Sequence, residues 1–348
     1  MTMSTHRNDA FFRFGRLVAA CIAVPMLFAA SSSAAEPLDP FTQNERIGRS
    51  VNIIGYDPIW KSVDQARFKA RHFQLIKQAG FNSVRINLAP FRAMDANNDN
   101  QLSDAWLKVL DWAVRGALDN NLAVILDCHE HNALGNDPEG NHERFLAFWR
   151  QIAPRFRDAS SNVIFELLNE PTRKLSPELW NTYLAESLAL VRQSNPTRTV
   201  IIGPGNGNGF NALDRLKLPE NDRNIIVTIH YYFPMAFTHQ GAPFSAANRD
   251  KTGVEWLGTP REQQDIVQNF GQSQAWAKAN NRPIFLGEFG AYDKAPMESR
   301  ARYTAFVCRT AEKLGWSWAY WQLDSDFILY NIEEDRWVEP IRNALIPR

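Results

Sequence analysis

Two glutamates stand where an apolar run gives way to a polar turn. Glu170 follows Ile164-Phe165-Glu166-Leu167-Leu168-Asn169 and precedes Pro171, while Glu288 follows Phe285-Leu286-Gly287 and precedes Phe289-Gly290. Each run reads as a buried strand, so each carboxyl falls where a strand meets its loop. Pro171 is expected to keep Glu170 in an extended backbone. Taken singly, each glutamate is equally well a turn residue. Taken together at one pocket they suit cleavage of a glycosidic bond. One must stay protonated to donate to the leaving oxygen, and the other must stay ionised to attack the anomeric carbon. The retaining form of that reaction needs the two carboxyls about 5 to 5.5 Å apart.

Other chemistry-bearing residues close other apolar runs. Arg85 lies in the second run as a permanent cation able to hold a carboxylate ionised. His129 ends the third, and His230 with Tyr232 ends the sixth. Imidazole and phenol are suitable partners for carboxylates and sugar hydroxyls. Trp321 ends the eighth and offers a flat floor for a pyranose ring. Each alone would more often be structural, but their recurrence at the same end of successive runs points to one site.

The elements that must hold these groups read as strands at Val51–Ile54, Ser83–Leu88, Leu122–Cys128, Val163–Leu168, Thr199–Ile202, Ile225–His230, Pro283–Gly287 and Trp316–Trp321. Amphipathic stretches separate them, such as Phe68, His72, Leu75, Ile76 and Ala79. Eight βα units without a linker predict an α/β fold of one domain, a (β/α)8 TIM barrel, whose active-site groups come from the C-terminal strand ends. An open doubly wound sheet is the alternative. The longest irregular stretch, Phe233 to Thr259, is expected to wall a substrate cleft.

The first 35 residues carry Arg7, Arg13 and Arg16, then an apolar run from Leu17 to Ala30, then small residues. That is the form of a secretory signal peptide, with cleavage expected after Ala35 and a secreted or periplasmic mature chain of residues 36–348. Lipidation at Cys21 is a weaker alternative. The whole chain has 38 Lys+Arg and 38 Asp+Glu; removal of three Arg and Asp9 leaves 35 against 37. Such a balance disfavours a nucleic-acid partner, and the apolar run is short for stable membrane insertion. Cys128 and Cys308 are expected to be free, because strand alternation turns Cys128 outward if His129 faces the mouth.

The chain resembles glycoside hydrolase family 5, the cellulase-like family, over nearly all of Ile47 to Pro347. The resemblance is carried by Arg46-Ile47-Gly48-Arg49-Ser50-Val51-Asn52, Gly80-Phe81-Asn82-Ser83-Val84-Arg85-Ile86, Leu168-Asn169-Glu170-Pro171, His230-Tyr231-Tyr232, Leu286-Gly287-Glu288-Phe289-Gly290 and Trp318-Ala319-Tyr320-Trp321. Phe237-Thr238-His239-Gln240-Gly241-Ala242 is similar to a bacterial endoglucanase branch, some of whose members also cut mannan. The resemblance implies Glu170 as acid/base, Glu288 as nucleophile and Asn169 as partner of the sugar 2-hydroxyl. It implies Asn52, Arg85, His129, His230, Tyr232 and Trp321 as substrate-binding or supporting residues. It further implies a β-linked glucan as substrate, cut internally, with mannan or glucomannan as the alternative; no cofactor or metal is called for, and a monomer is expected. Three departures are expected to touch sugar contacts: Glu130 in place of a second histidine, Gly205-Asn206-Gly207-Asn208-Gly209 in place of a tryptophan platform, and Gln322 in place of a glutamate.

Three other signals point elsewhere. Asp95, Asn97 and Asp99 open like a calcium loop, but Asn100 and Trp106 stand where Gly and Glu are wanted, so a polar loop before a Ser103 or Asp104 helix cap is expected. His129, His131 and His230 could surround zinc in a metal hydrolase. A barrel that binds sugar without cleaving it is the third alternative, against which both glutamates speak.

Overall fold

Short β-branched runs flanked by caps and turns give strands too short to bury both faces alone, and parallel pairing covered by helices is the solution they take. The computed structural model describes residues 38–347; the signal-peptide segment lies outside them. Eight parallel strands close into a barrel: β1 (Arg49–Ile53), β2 (Ser83–Leu88), β3 (Ala123–Cys128), β4 (Val163–Glu166), β5 (Val200–Ile202), β6 (Ile225–Tyr231), β7 (Ile284–Phe289) and β8 (Ser317–Tyr320). Each pairs with its sequence neighbour and β8 returns to β1.

The α-helices of seven or more residues are α1 (Pro40–Ile47), α2 (Ala70–Ala79), α3 (Asp104–Asp119), α4 (Pro138–Arg155), α5 (Pro177–Ser194), α6 (Pro260–Asn280), α7 (Met297–Lys313) and α8 (Glu339–Leu345). Several of them start at a side-chain cap. Ser103 accepts from Trp106 N, Ser176 from Leu179 N, and Thr259 forms a reciprocal box with Glu262 ahead of α6. One expectation fails: the connection from β5 to β6 has a 3-10 turn, Phe210–Arg215, where the repeat calls for an α-helix. Pro219 and the glycine-rich run leave too little uninterrupted chain there for helical turns.

Strand alternation divides the residues between two cores. Ile125, Ile164, Ile201, Ile226, Phe285 and Ala319 point inward and, with Ile47 of α1, fill the lower barrel. Val84, Leu126, Phe165, Ile202, Val227, Leu286 and Trp318 point outward into the much larger layer between barrel and helices. Cys128 joins this outer layer, as does Cys308 of α7, and both are free thiols. The calcium-like segment is a small hairpin, Met94–Asp95 against Gln101–Leu102, in which Asp95 accepts from the Asn97 backbone at 2.9 Å. No described helix is long and apolar enough to cross a membrane.

Candidate active site

The inward positions change character two residues above the apolar filling. Asn52, Arg85, Asp127, Glu166 and Glu288 all point into the barrel near its C-terminal end and are buried. Arg85 organises them. Its Nε and Nη2 donate to the two oxygens of Glu166 at 2.7 and 2.9 Å, a bidentate pair. Nη2 also reaches Asn169 Oδ1 at 2.9 Å and Asp127 Oδ2 at 3.1 Å. Nη1 donates at 2.8 Å to both Asn52 Oδ1 and Glu288 Oε1. Asn52 passes the constraint on, donating to the carbonyls of Gly287 and Tyr320 at 3.2 Å each. It is a brace between strands with no face to the cleft.

Glu166 and Asp127 are absent from the sequence reading, although both were findable. Glu166 sits two residues after inward Ile164, and Asp127 two after inward Ile125, so strand alternation sends both toward Arg85.

Glu288 reaches the same layer by a different route. It lies inside β7, which extends two residues beyond the expected end at Gly287, and the ladder to β6 slips there: Ile229 pairs with Leu286 but His230 with Glu288. One extra residue restores Glu288 to the inward face that Phe285 occupies. The bulged residue must be glycine, because a Cβ at 287 would lie 2.5 Å from Thr228 Oγ1 and 2.9 Å from His230 Nε2.

Glu170 is aimed by strain. Its φ is +42°, so the extended backbone expected before Pro171 is not adopted. A non-glycine residue holds such a conformation only where its surroundings impose it. Here Asn169, donating its backbone N–H to Cys128 O and tied to Arg85, anchors the turn on one side. The carboxyl then meets His230 Nδ1 at 2.8 Å.

The two carboxyls converge. Ligand atoms of Glu170, His230 and Glu288 all lie within 4.8 Å of one another, which matches the close spacing of the retaining reaction. Their surroundings differ. Glu288 is 6% exposed and accepts from Arg85 Nη1 and from Tyr232 OH at 3.0 Å; Glu170 is 27% exposed, open toward the cleft, with His230 as its hydrogen-bond partner. Burial lifts both above the usual carboxylate range, Glu288 to about 7. Two carboxyls this close share one proton over a range of pH. Hydrogen bonds from Arg85 and Tyr232 favour the charged form of Glu288, so that proton resides on Glu170.

Burial also keeps the imidazoles neutral, with His230 and His129 lowered and His131 lowered to about 4. His129 Nδ1 meets Asp127 Oδ2 at 2.6 Å, and its ring lies parallel to Trp321 at 5.5 Å. Trp321 in turn carries Tyr56 edge-on at 6.2 Å, and Tyr56 is 66% exposed. The sequence reading overlooked Tyr56, an aromatic beyond β1 with no motif around it.

Glu130 is not at the sugar. It is buried, accepts from the Phe91 backbone at 2.7 Å, and so pins the loop after β2. The second imidazole comes one residue later: His131 Nδ1 stands 3.0 Å from Asn169 Nδ2. The glycine-rich run sends Asn208 into the site, its Nδ2 3.2 Å from His230 Nε2. Gln322 is buried beside Trp321. His129, His131 and His230 do not converge as a zinc set would require; among the described residues the group with such spacing is the Glu170, His230, Glu288 trio, whose atoms already bond one another and Tyr232.

The sequence profile of Cellulase (glycosyl hydrolase family 5) matches residues 45–327. The chain belongs to glycosyl hydrolase family 5. Among proteins of this family type, Endoglucanase H of Acetivibrio thermocellus is 30% identical over 332 residues, covering 90% of this chain and 34% of its own length. The chain thus spans about a third of that relative. The crystal structure of endoglucanase Cel5A from Thermotoga maritima superposes with a TM-score of 0.84 at 41% identity, covering 89% of this chain and all of that one. The cellulose synthase subunit Z of Clostridioides difficile gives 0.81 at 36% identity over 86% of this chain and 99% of its own.

Proposed function

We propose that this family 5 member is a retaining endo-acting β-glycosidase that hydrolyses β-1,4-glucan or mixed-linkage β-glucan through a covalent glycosyl-enzyme. The observation that carries the reading is the asymmetry of the close carboxyl pair, with two donors fixed on Glu288 and an opening to the cleft at Glu170. Glu288 Oε2 attacks the anomeric carbon while Glu170 gives its proton to the glycosidic oxygen. The bond to the leaving chain breaks as the bond to Glu288 forms. Glu170, now ionised, takes a proton from water, whose oxygen displaces Glu288 and restores the free carboxylate. Asn169 Oδ1 is occupied by Arg85 and one N–H of its Nδ2 faces His131 Nδ1, which leaves the second N–H, with only a long 3.4 Å approach to His129 Nε2, for the sugar 2-hydroxyl. Trp321 and Tyr56 supply the apolar faces on which a pyranose can rest.

Early-turnover NMR of products from cellopentaose tests the reading. Retained β-configuration and internal cleavage are expected; the α-anomer, or release of terminal units alone, rejects it. Mannan or glucomannan is the second reading, favoured because Thermotoga maritima Cel5A has been solved with mannotriose as well as with cellobiose. A tenfold or greater preference in kcat/KM for mannopentaose would make it the first. We also propose that the enzyme works outside the cytoplasm as a monomer beginning at Glu36, which N-terminal sequencing and light scattering of the exported protein would check.

A further inference from the structure

We propose that Asn208 is a positioning residue that fixes the tautomer of His230, and thereby keeps the acid proton of Glu170 on the oxygen that faces the leaving group. The proposal rests on the assignment of Glu170 as acid/base. His230 Nδ1 has Glu170 Oε1 at 2.8 Å and Glu288 Oε2 at 3.6 Å. A ring lone pair facing two carboxyl oxygens, one of them ionised, is repelled, whereas an N–H there is attracted to both. The neutral ring must then carry its lone pair on Nε2, which needs a donor. Asn208 Nδ2, at 3.2 Å and fully buried, supplies it.

The local fold is built around this contact. Asn206, Gly207 and Asn208 are three successive left-handed residues, with φ of +57°, +70° and +54°, in a run whose asparagines and glycine tolerate that backbone. The turn directs the amide of residue 208 inward. A Cβ at Gly203 would lie 2.1 Å from Asn208 Oδ1, and one at Gly287 would lie 2.9 Å from His230 Nε2, so glycines on β5's end and on the β7 bulge make room for the pair. Asn208 Oδ1 is buried without a partner. An amide that gives up one of its own hydrogen bonds to place its nitrogen on the ring contributes position, at some expense of stability.

The chemical consequence concerns which oxygen of Glu170 carries the proton. With Nδ1–H donated to Oε1, the proton of the neutral acid sits on Oε2, free to pass to the glycosidic oxygen. With the other tautomer, Nδ1 would accept the Glu170 proton and hold it away from the substrate. The charged groups around the ring are Glu170 and Glu288 at Nδ1, with Arg85, Glu166 and Asp127 deeper in the barrel.

The test replaces the donor. N208D presents an acceptor to Nε2 and should move the ring proton there or create an imidazolium; N208L offers neither and serves if N208D does not fold. Long-range proton–nitrogen NMR of His230, assigned with an H230N control, should show Nδ1 protonated and Nε2 bare in the wild type, and Nε2 protonated in N208D. The value of kcat/KM on cello-oligosaccharides should fall at least about tenfold more than on 2,4-dinitrophenyl cellobioside, whose departure needs no acid. The basic limb of its pH profile should shift. An unchanged ring protonation pattern in the variants with an unchanged ratio between substrates would overturn the role of Asn208 and leave that of Glu170 standing. Equal loss of both substrates in E170A would instead remove the role of Glu170 on which the proposal rests.

Discussion

The same strands build the lower and upper halves of the barrel interior, and they do so with opposite chemistry. Below, Ile125, Ile164, Ile201, Ile226 and Phe285 fill the space with apolar volume. One layer further up, Asp127 and Glu166, two residues on, and Glu288, three residues on across the bulge, crowd around Arg85, with His230 beside them. Burying apolar area stabilises by about 25 cal/mol per Å². Burying a guanidinium among carboxylates gains little or nothing relative to apolar residues of similar size. The lower layer therefore holds the barrel closed, and the upper layer draws on that stability to keep charges where water would scatter them.

Substitution of the two glutamates proposed to react should separate the layers most sharply. Glu288→Ala is expected to lower kcat on cello-oligosaccharides by at least about a thousandfold with little change in melting temperature. Glu170→Ala should lose far less on an activated aryl cellobioside than on the oligosaccharide. Steady-state kinetics on the two substrates reads both. Equal fractional losses for Glu170→Ala would break the division of labour between the glutamates.

One step down in size, Ile164→Ala should cost about 2 to 5 kcal/mol in urea unfolding through the cavity it leaves. Glu166→Gln, two residues away, should cost less stability than Ile164→Ala, because Asp127 and Glu288 still balance the buried guanidinium, yet lower kcat several-fold, because the neutral amide grips Arg85 less firmly and loosens its hold on Glu288. A larger stability loss in Glu166→Gln than in Ile164→Ala would invert the comparison.

The layers should also answer pH differently. Burial raises the close pair of Glu170 and Glu288 above the usual carboxylate range, so the native protein keeps the pair's shared proton, held on Glu170, to higher pH than the unfolded chain does. Stability contributed by the pair is present below the unfolded pKa and is lost as pH rises through about 7. Glu288→Gln should flatten the decline of the melting temperature across that window, and Ile164→Ala should leave the slope unchanged. The smallest expected effect is that of calcium: added millimolar Ca²⁺ should not raise the melting temperature, because the Asp95 hairpin is closed by its own backbone.

The lower layer and the paired glutamates were legible in the sequence because each rests on a local rule. Eight apolar runs, and a carboxyl at the end of two of them, need no knowledge of distant residues. The expected strands lie within a few residues of the observed bounds, and Arg85, His230 and Tyr232 do meet at the pair, with Asn169 tied to it through Arg85. What escaped depends on contacts far apart in the chain. Glu130 looked like a lost sugar contact because its partner, the Phe91 backbone, lies on another loop. Asn208 lies in the glycine-rich run read from sequence as the place of an absent tryptophan platform, and nothing nearby in sequence announces His230. The missing helix after β5 and the left-handed Glu170 show tertiary packing overriding local preference.

The bulge at Gly287 makes β7 a strand with two phases. Below it the odd positions face the interior, as Phe285 does; above it the even ones do, as Glu288 does. The apolar filling and the carboxylate proposed as nucleophile are thereby decoupled, and neither dictates the other's parity. Flattening the bulge with every residue kept would merge the phases and turn Glu288 outward among the helices, whereas deleting residue 287 would leave the glutamate two places after Phe285 and still inward. The direction of that carboxylate therefore hangs on an extra residue that brings no side chain of its own to the cleft.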